Sequence, residues 1–267
     1  MRTKIVLANG VAVMVLLLSS LGSFGQQSHI GKLTGNAKQG KELYRRYCIF
    51  CHGPYGDGTG ENAPYLDPKP RDFTKATFKC RSTPSGSLPL DSDLYDTISR
   101  GVHGSGMPSW RPLTHQQRAD LVAYVKSFSA RFEEEKPATS LAIPPEPPNS
   151  ADSAKRGAES FQSMNCWQCH GQEGRGNGPS AKTLTDSKGY PIAPFDLTSG
   201  LQLKCGDSPQ AMFRDLMTGL DGTPMPSFAD ALKPEEAWDL VHYVETLRAG
   251  SKKAGHIKIE QIEPKGE

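Results

Sequence analysis

Beyond its first 25 residues this chain of 267 residues has no apolar run long enough to cross a bilayer. It also lacks an excess of charge. The formal net charge is +2, but residues 1–25 hold Arg2 and Lys4 and no acidic residue, so the remainder carries 29 residues of each sign. A balanced surface gives no basis for nucleic-acid binding, which needs a basic stripe or patch. Methionine is scarce as well: between residues 36 and 132 there is only Met107.

What the first 25 residues do hold is the pattern of an export signal. Arg2 and Lys4 form a basic start, Ile5 to Leu18 is apolar apart from Asn9 and Gly10, and Ser23-Phe24-Gly25 offers small residues for cleavage. A cut after Gly25 predicts a periplasmic or otherwise exported protein. The competing reading is a retained anchor facing the periplasm, because the twenty residues from Ile5 to Phe24 nearly suffice to span a bilayer.

The 27 glycines and 21 prolines predict many loops with helices between them. Two stretches then repeat. Cys48-Ile49-Phe50-Cys51-His52 and Cys166-Trp167-Gln168-Cys169-His170 are offset by 118 residues, and the same offset carries Gly53 to Gly171, Gly56 to Gly174, Gly101 to Gly219 and Met107-Pro108 to Met225-Pro226. With small local insertions, Asp72 matches Asp196 and Cys80 matches Cys205. Such a register means a duplicated domain. The expected units are a signal at 1–25, domain one at 36–132, a proline-rich linker at 133–150, domain two at 151–249, and a polar tail at 250–267. Domain one should open with a helix over Ala37–Tyr47, have a short helix after Asp91, and end in a helix started by the Thr114/Gln117 capping box. Domain two repeats the plan, with helices starting at Ser208-Pro209 and at Pro234.

C-x-x-C-H is the attachment sequence of a c-type haem: the two thiols add to the vinyl groups, and the histidine is placed beneath the iron. The rival readings are a disulfide, a redox dithiol or half a zinc site. Zinc would need four grouped ligands, and a dithiol has no use for an adjacent histidine in both copies. Cys48, Cys51, Cys166 and Cys169 are thus the expected attachment points of two haems, with His52 and His170 as iron ligands. A methionine in the sixth position is typical of electron-transfer sites. His52 to Met107 and His170 to Met225 both span 55 residues, and both methionines precede proline. Met212 and Met217 follow the helical pattern and read as core. His103 is a rival ligand, but Asp221 stands at its matching position.

The order of helix, CxxCH, glycine-rich loop, methionine loop and final helix resembles the class I cytochrome c family, over Gly35–Phe132 and Ala151–Gly250. The resemblance implies an all-α fold, a tandem pair of class I cytochrome c domains each wrapped around a covalently bound haem, with the first and last helices crossing. Pro70-Arg71-Asp72-Phe73-Thr74 and Ser82-Thr83-Pro84-Ser85-Gly86 resemble di-haem cytochromes that accompany bacterial respiratory oxidoreductases. In the family, basic side chains often meet haem propionates. Lys79, Arg81 and Lys204 are candidates, with a solvated role equally open, and Trp110 and Phe228 are candidates to pack on the haems. The implied function is electron transfer, as a carrier or cytochrome subunit, with redox protein partners: a respiratory oxidoreductase, a quinol-oxidising complex or a terminal oxidase. No small-molecule substrate is expected, and membrane contact only if the signal is retained. The alternative is a di-haem enzyme, a peroxidase or a sulfur-compound dehydrogenase, which would need an open sixth site. A sensor would need a further domain, and no such domain is evident.

Cys80 and Cys205 lie outside both CxxCH motifs at matching places in the repeat. An oxidising compartment disfavours two free thiols, so a disulfide joining the domains is one expectation. Two buried thiols, or a cysteine as an unusual iron ligand, are the others. Residues 36–132 carry net +5 and residues 151–249 net −4. This polarity fits either oriented docking between donor and acceptor or ordinary surface variation.

Overall fold

A computed structural model of the chain describes residues 27–254. The expected export signal and residues 255–267 of the polar tail lie outside the described residues. Among the described residues, no helix is long and apolar enough to cross a membrane.

Each half is built on two crossing helices. In the first, α1 (Ala37–Tyr47) begins where the Asn36 side chain accepts from the amides of Lys38 and Gln39. It runs into a single turn, α2 (Ile49–His52), and after a long loop come α3 (Asp91–Arg100) and α4 (His115–Lys126). The Thr114/Gln117 capping box is formed, with both reciprocal bonds in place. A further turn, α5 (Arg131–Glu134), occupies the start of the expected linker, and residues 135–150 form no regular element. The second half repeats the order as α6 (Ala151–Ser163), α7 (Trp167–His170), α8 (Pro209–Thr218) and α9 (Pro234–Ala254).

The crossings α1 on α4 and α6 on α9 are the most extensive helix contacts in the two halves. Gly40 and Gly157 stand at these crossings. A methyl group at either would collide with the backbone carbonyl of the facing helix, Asp120 in one case and Asp239 in the other. The absent side chain lets the two backbones touch. Around each crossing lies an apolar core: Tyr44, Phe73, Leu94, Leu121 and Val122 in the first half, and Phe161, Phe213, Trp238, Leu240 and Val241 in the second.

The all-α expectation holds with one addition. A small antiparallel hairpin, β1 (Gln27–Ile30) and β2 (Leu33–Asn36), precedes α1. It is fastened to α4 by Ser28 Oγ, which donates to the Ala119 carbonyl at 2.7 Å, and by the Asn36 amide, which donates to Asp120 Oδ1 at 2.8 Å.

The halves are also joined directly. Cys80 and Cys205 form a disulfide, with Cα atoms 5.2 Å apart. Beside it Arg81 is fully buried. Its guanidinium donates to the carbonyls of Phe78 (3.2 Å) and Thr218 (2.5 Å) and pairs with Asp221 at 2.8 Å. Asp221 accepts in addition from Ser85 Oγ and the Gly86 amide, each at 2.8 Å. Arg81 is therefore neither a solvated cation nor a wall of either cavity described below. It clamps the two halves together.

Candidate haem sites

The CxxCH motifs occupy equivalent places. Cys48 closes α1 and Cys166 follows α6, and the next turn carries Cys51-His52 or Cys169-His170 inward. Each turn ends at a glycine with positive φ, Gly53 at 75° or Gly171 at 77°, a conformation that glycine adopts without strain. In the first half Tyr44 Oη donates to the Gly53 carbonyl at 2.7 Å and fixes that turn from the core side.

Both histidines are oriented by a backbone carbonyl. His52 Nδ1 is 3.2 Å from the Arg71 carbonyl, and His170 Nδ1 is 3.1 Å from that of Phe195. A carbonyl only accepts, so Nδ1 carries the proton and Nε2 keeps a lone pair for a metal. Burial pulls His52 down to about 4 and lowers His170 as well, which keeps both rings neutral, as ligation requires. Phe73 stacks on the His52 ring with centroids 4.4 Å apart.

The methionine loops are near copies. The Val102 amide donates to the Met107 carbonyl and the Leu220 amide to that of Met225, both at 3.1 Å. The Met107 amide is held by Ser105 Oγ and the Met225 amide by Thr223 Oγ1, both at 3.2 Å. Met107 lines a cavity with Cys48, Cys51 and His52, and Met225 lines a second with Cys166, Cys169 and His170. Trp110 and Phe228 are wall residues of the two. His103 is not among the residues that line the first cavity. Met212 and Met217 are buried with Phe213 and Trp238 in the core of the second half, and Met212 also reaches the wall of the second cavity, as does Met164.

This donor set fits a c-type haem. The four motif cysteines are unpaired. Burial pushes the Cys48 thiol up to about 12 and the Cys166 thiol up to about 11. A zinc site would need four grouped ligands, and among the described residues neither CxxCH motif gathers its cysteines and histidine into such a group. The walls are otherwise apolar, with Leu94, Ile98, Leu121 and Val125 in the first cavity and Leu197, Leu216, Leu240 and Val244 in the second. Cations also reach them: Arg71 and Lys79 line the first and Lys204 the second. Lys79 is pushed down to about 8 by burial, with repulsion from Arg71 and Lys204 added. These partly buried cations are placed to meet carboxylates, of which each haem would carry two.

The carbonyls of Arg71 and Phe195 were not picked out from sequence. A readable signal lies one residue on. Asp72 and Asp196 each accept from the amide and hydroxyl of the threonine two residues later, at 3.0 and 2.6 Å in the first half and 2.8 and 2.7 Å in the second. That turn aims the preceding carbonyl at the histidine.

Comparison with known proteins finds a cytochrome c domain in each half. Residues 35–125 match the family model "Cytochrome C oxidase, cbb3-type, subunit III", and residues 154–248 match "Cytochrome c". The Cbb3-type cytochrome c oxidase subunit FixP of Azorhizobium caulinodans is 26% identical over 212 residues, which is 79% of this chain and 60% of that protein. The chain thus spans about 60% of the length of that curated relative. Among solved structures, a chain of the Kuenenia stuttgartiensis reducing HAO-like protein complex Kustc0457/Kustc0458 is 46% identical with a TM-score of 0.77. The match covers 79% of this chain and 96% of that one.

Proposed function

The chain belongs to the cytochrome c family and carries two c-type haem domains in tandem, and from that premise we propose that it relays electrons within a respiratory oxidoreductase assembly. Each haem, when bound, supplies a one-electron ferric–ferrous couple. The observation that carries the reading is the second cavity's repetition of the first: two unpaired motif cysteines, a carbonyl-oriented histidine and a loop-held methionine, at one spacing in both.

In this reading Cys48 and Cys51 hold one haem and Cys166 and Cys169 the other. His52 and His170 would ligate the irons, and Met107 and Met225 would supply the second protein ligand to each. A filled sixth position leaves no place for a substrate, so the protein is a carrier or cytochrome subunit and not a peroxidase or dehydrogenase. The working units are residues 36–132 and 151–249, and residues 1–25 direct export to the periplasm. The disulfide and the Arg81–Asp221 clamp fix one domain against the other, which favours transfer between the two haems over independent shuttling. The partner is a larger redox protein. Support for this comes from the respiratory oxidase named for the curated relative and the two-protein complex named for the solved one.

The test is a reductive titration of the exported protein with a one-electron donor, together with its intact mass. The expected result is two haem additions and two reversibly accepted electrons per chain, without peroxide turnover. One electron per chain, or turnover of peroxide, contradicts the proposal.

A further inference from the structure

Away from both cavities, on the face of α9 turned toward the linker, His242 is fully buried. Its Nδ1 lies 2.6 Å from Ser153 Oγ, which donates its single proton to Asp239 Oδ1 at 2.5 Å. Asp239 is an acceptor only. Arg156 grips it in bidentate fashion, with both nitrogen–oxygen distances 2.7 Å. Burial works against that carboxylate, but the Arg156 and Ser153 bonds outweigh it and hold the group below the usual range. Ser153 must then accept from His242 Nδ1–H, and Nε2 is left as the ring's other nitrogen, turned away from that chain.

That nitrogen makes no hydrogen bond among the described residues. What faces it is negative. Glu146 Oε1 is 3.5 Å away, and ligand atoms of Glu146, His242 and Glu245 all lie within 4.8 Å of one another. Each carboxylate is steadied at its other oxygen. Gln210 Nε2 donates to Glu146 Oε2 at 3.1 Å, and Asn149 Nδ2 donates to Glu245 Oε2 at 2.8 Å. A buried ring nitrogen with no hydrogen-bond partner, facing two carboxylates, calls for a positive centre between them.

We propose that Glu146, His242 and Glu245 form a binding site for a divalent transition cation, zinc first among them, that fastens the proline-rich linker to α9. The donor set of one imidazole and two carboxylates suits zinc, whereas calcium and magnesium prefer oxygen alone. Tetrahedral zinc at its usual bond lengths separates its ligand atoms by about 3.4 Å, close to the Glu146–His242 spacing of 3.5 Å. The chain Arg156–Asp239–Ser153–His242 is the outer support that a ligating histidine needs. Glu146 is exposed, so water takes the fourth position. The site also has a structural consequence. The linker already meets the first half where the Leu141 amide donates to the Ser82 carbonyl at 2.7 Å. A cation at Glu146 pins its other end to the second half.

The test is calorimetric titration of zinc(II) into the chelator-treated haem-loaded protein, beside Glu146→Gln and Glu245→Gln. Both changes fall outside the haem cavities, and an unaltered haem spectrum verifies folding. The expected result is one tight equivalent for the wild type, weakened roughly tenfold or more in each variant, with zinc-edge absorption showing four nitrogen or oxygen neighbours, one of them an imidazole. No binding by the wild type would mean that a proton on Nε2 fills the place, as an ion pair with Glu146, and would overturn the proposal. Binding of equal strength in all three proteins would place the ion elsewhere and overturn it too.

Discussion

Met107 is held by Ser105 and Met225 by Thr223, and the distances are the same in the two halves. Ser109 Oγ donates to the Ser99 carbonyl at 2.7 Å, and Ser227 Oγ donates to that of Met217 at 2.6 Å. The charges around these loops do not match. Arg71 reaches the first cavity where the second has Phe195, and Asp215 reaches the second where the first has Thr97, while Lys79 and Lys204 are equivalent. Asp221 stands where the first half has His103, and it serves the contact between the halves. Duplication has thus kept the groups that place a histidine and a methionine at each cavity and varied the groups that set the field around them. Two sites with one ligand geometry and different fields should differ in potential and not in ligation.

The strongest break of the symmetry is removal of one attachment. Cys48→Ala with Cys51→Ala should halve the covalent haem per chain, and Cys166→Ala with Cys169→Ala should do the same. Intact mass checks both. If either pair removed both haems, the halves would not mature independently.

Next in size is the bond between the halves. Cys80 and Cys205 are 125 residues apart, and closing a loop of that length contributes about 3–5 kcal/mol in the chain-entropy account. Cys80→Ser with Cys205→Ser should lower stability by that order and split the thermal transition into two. A single unshifted transition in calorimetry would show that the Arg81–Asp221 clamp suffices alone.

A smaller effect should be equal on the two sides. Gly40→Ala and Gly157→Ala each press a methyl group against a facing carbonyl and should each cost about 1–3 kcal/mol. Denaturant melts that separate the two values widely would show that the crossings are not equivalent.

The finest distinction concerns Asp215. Burial pushes it up to about 6 against the pull of Arg214, Arg100 and Arg81. A raised carboxyl favours the protonated fold, so stability falls as pH rises from about 4 to about 6 and is level above that. Ionised, Asp215 also favours ferric iron in the second cavity. The second haem's potential should therefore drop as pH rises through about 6, while the first, beside Arg71 and Lys79, stays higher and flatter. Asp215→Asn should remove the slope. A slope that survives the substitution would assign it to another group.

Much of this was legible in the sequence because it is local or repeated. The bounds of α1, the Thr114 capping box, the two histidine-to-methionine spacings and the core role of Met212 and Met217 follow from short-range pattern. The β1–β2 hairpin was not legible, since its anchor is Ser28 reaching a carbonyl 91 residues away. Nor were the carbonyls that orient His52 and His170, because every residue has one and only the fold selects which is used. Arg81 reads as either a propionate partner or a solvated cation until its partners from the other half are in place. The His242 cluster gathers residues from the linker, α6, α8 and α9, none close to another in a recognisable motif.

The central claim is that both irons have histidine and methionine as their axial ligands. It is tested most directly by mixing the fully reduced protein with carbon monoxide and following the haem spectrum. The account predicts no rapid binding at either haem in the wild type, and rapid binding at one haem per chain in Met107→Ala and in Met225→Ala. Rapid binding to one haem of the wild type would contradict it.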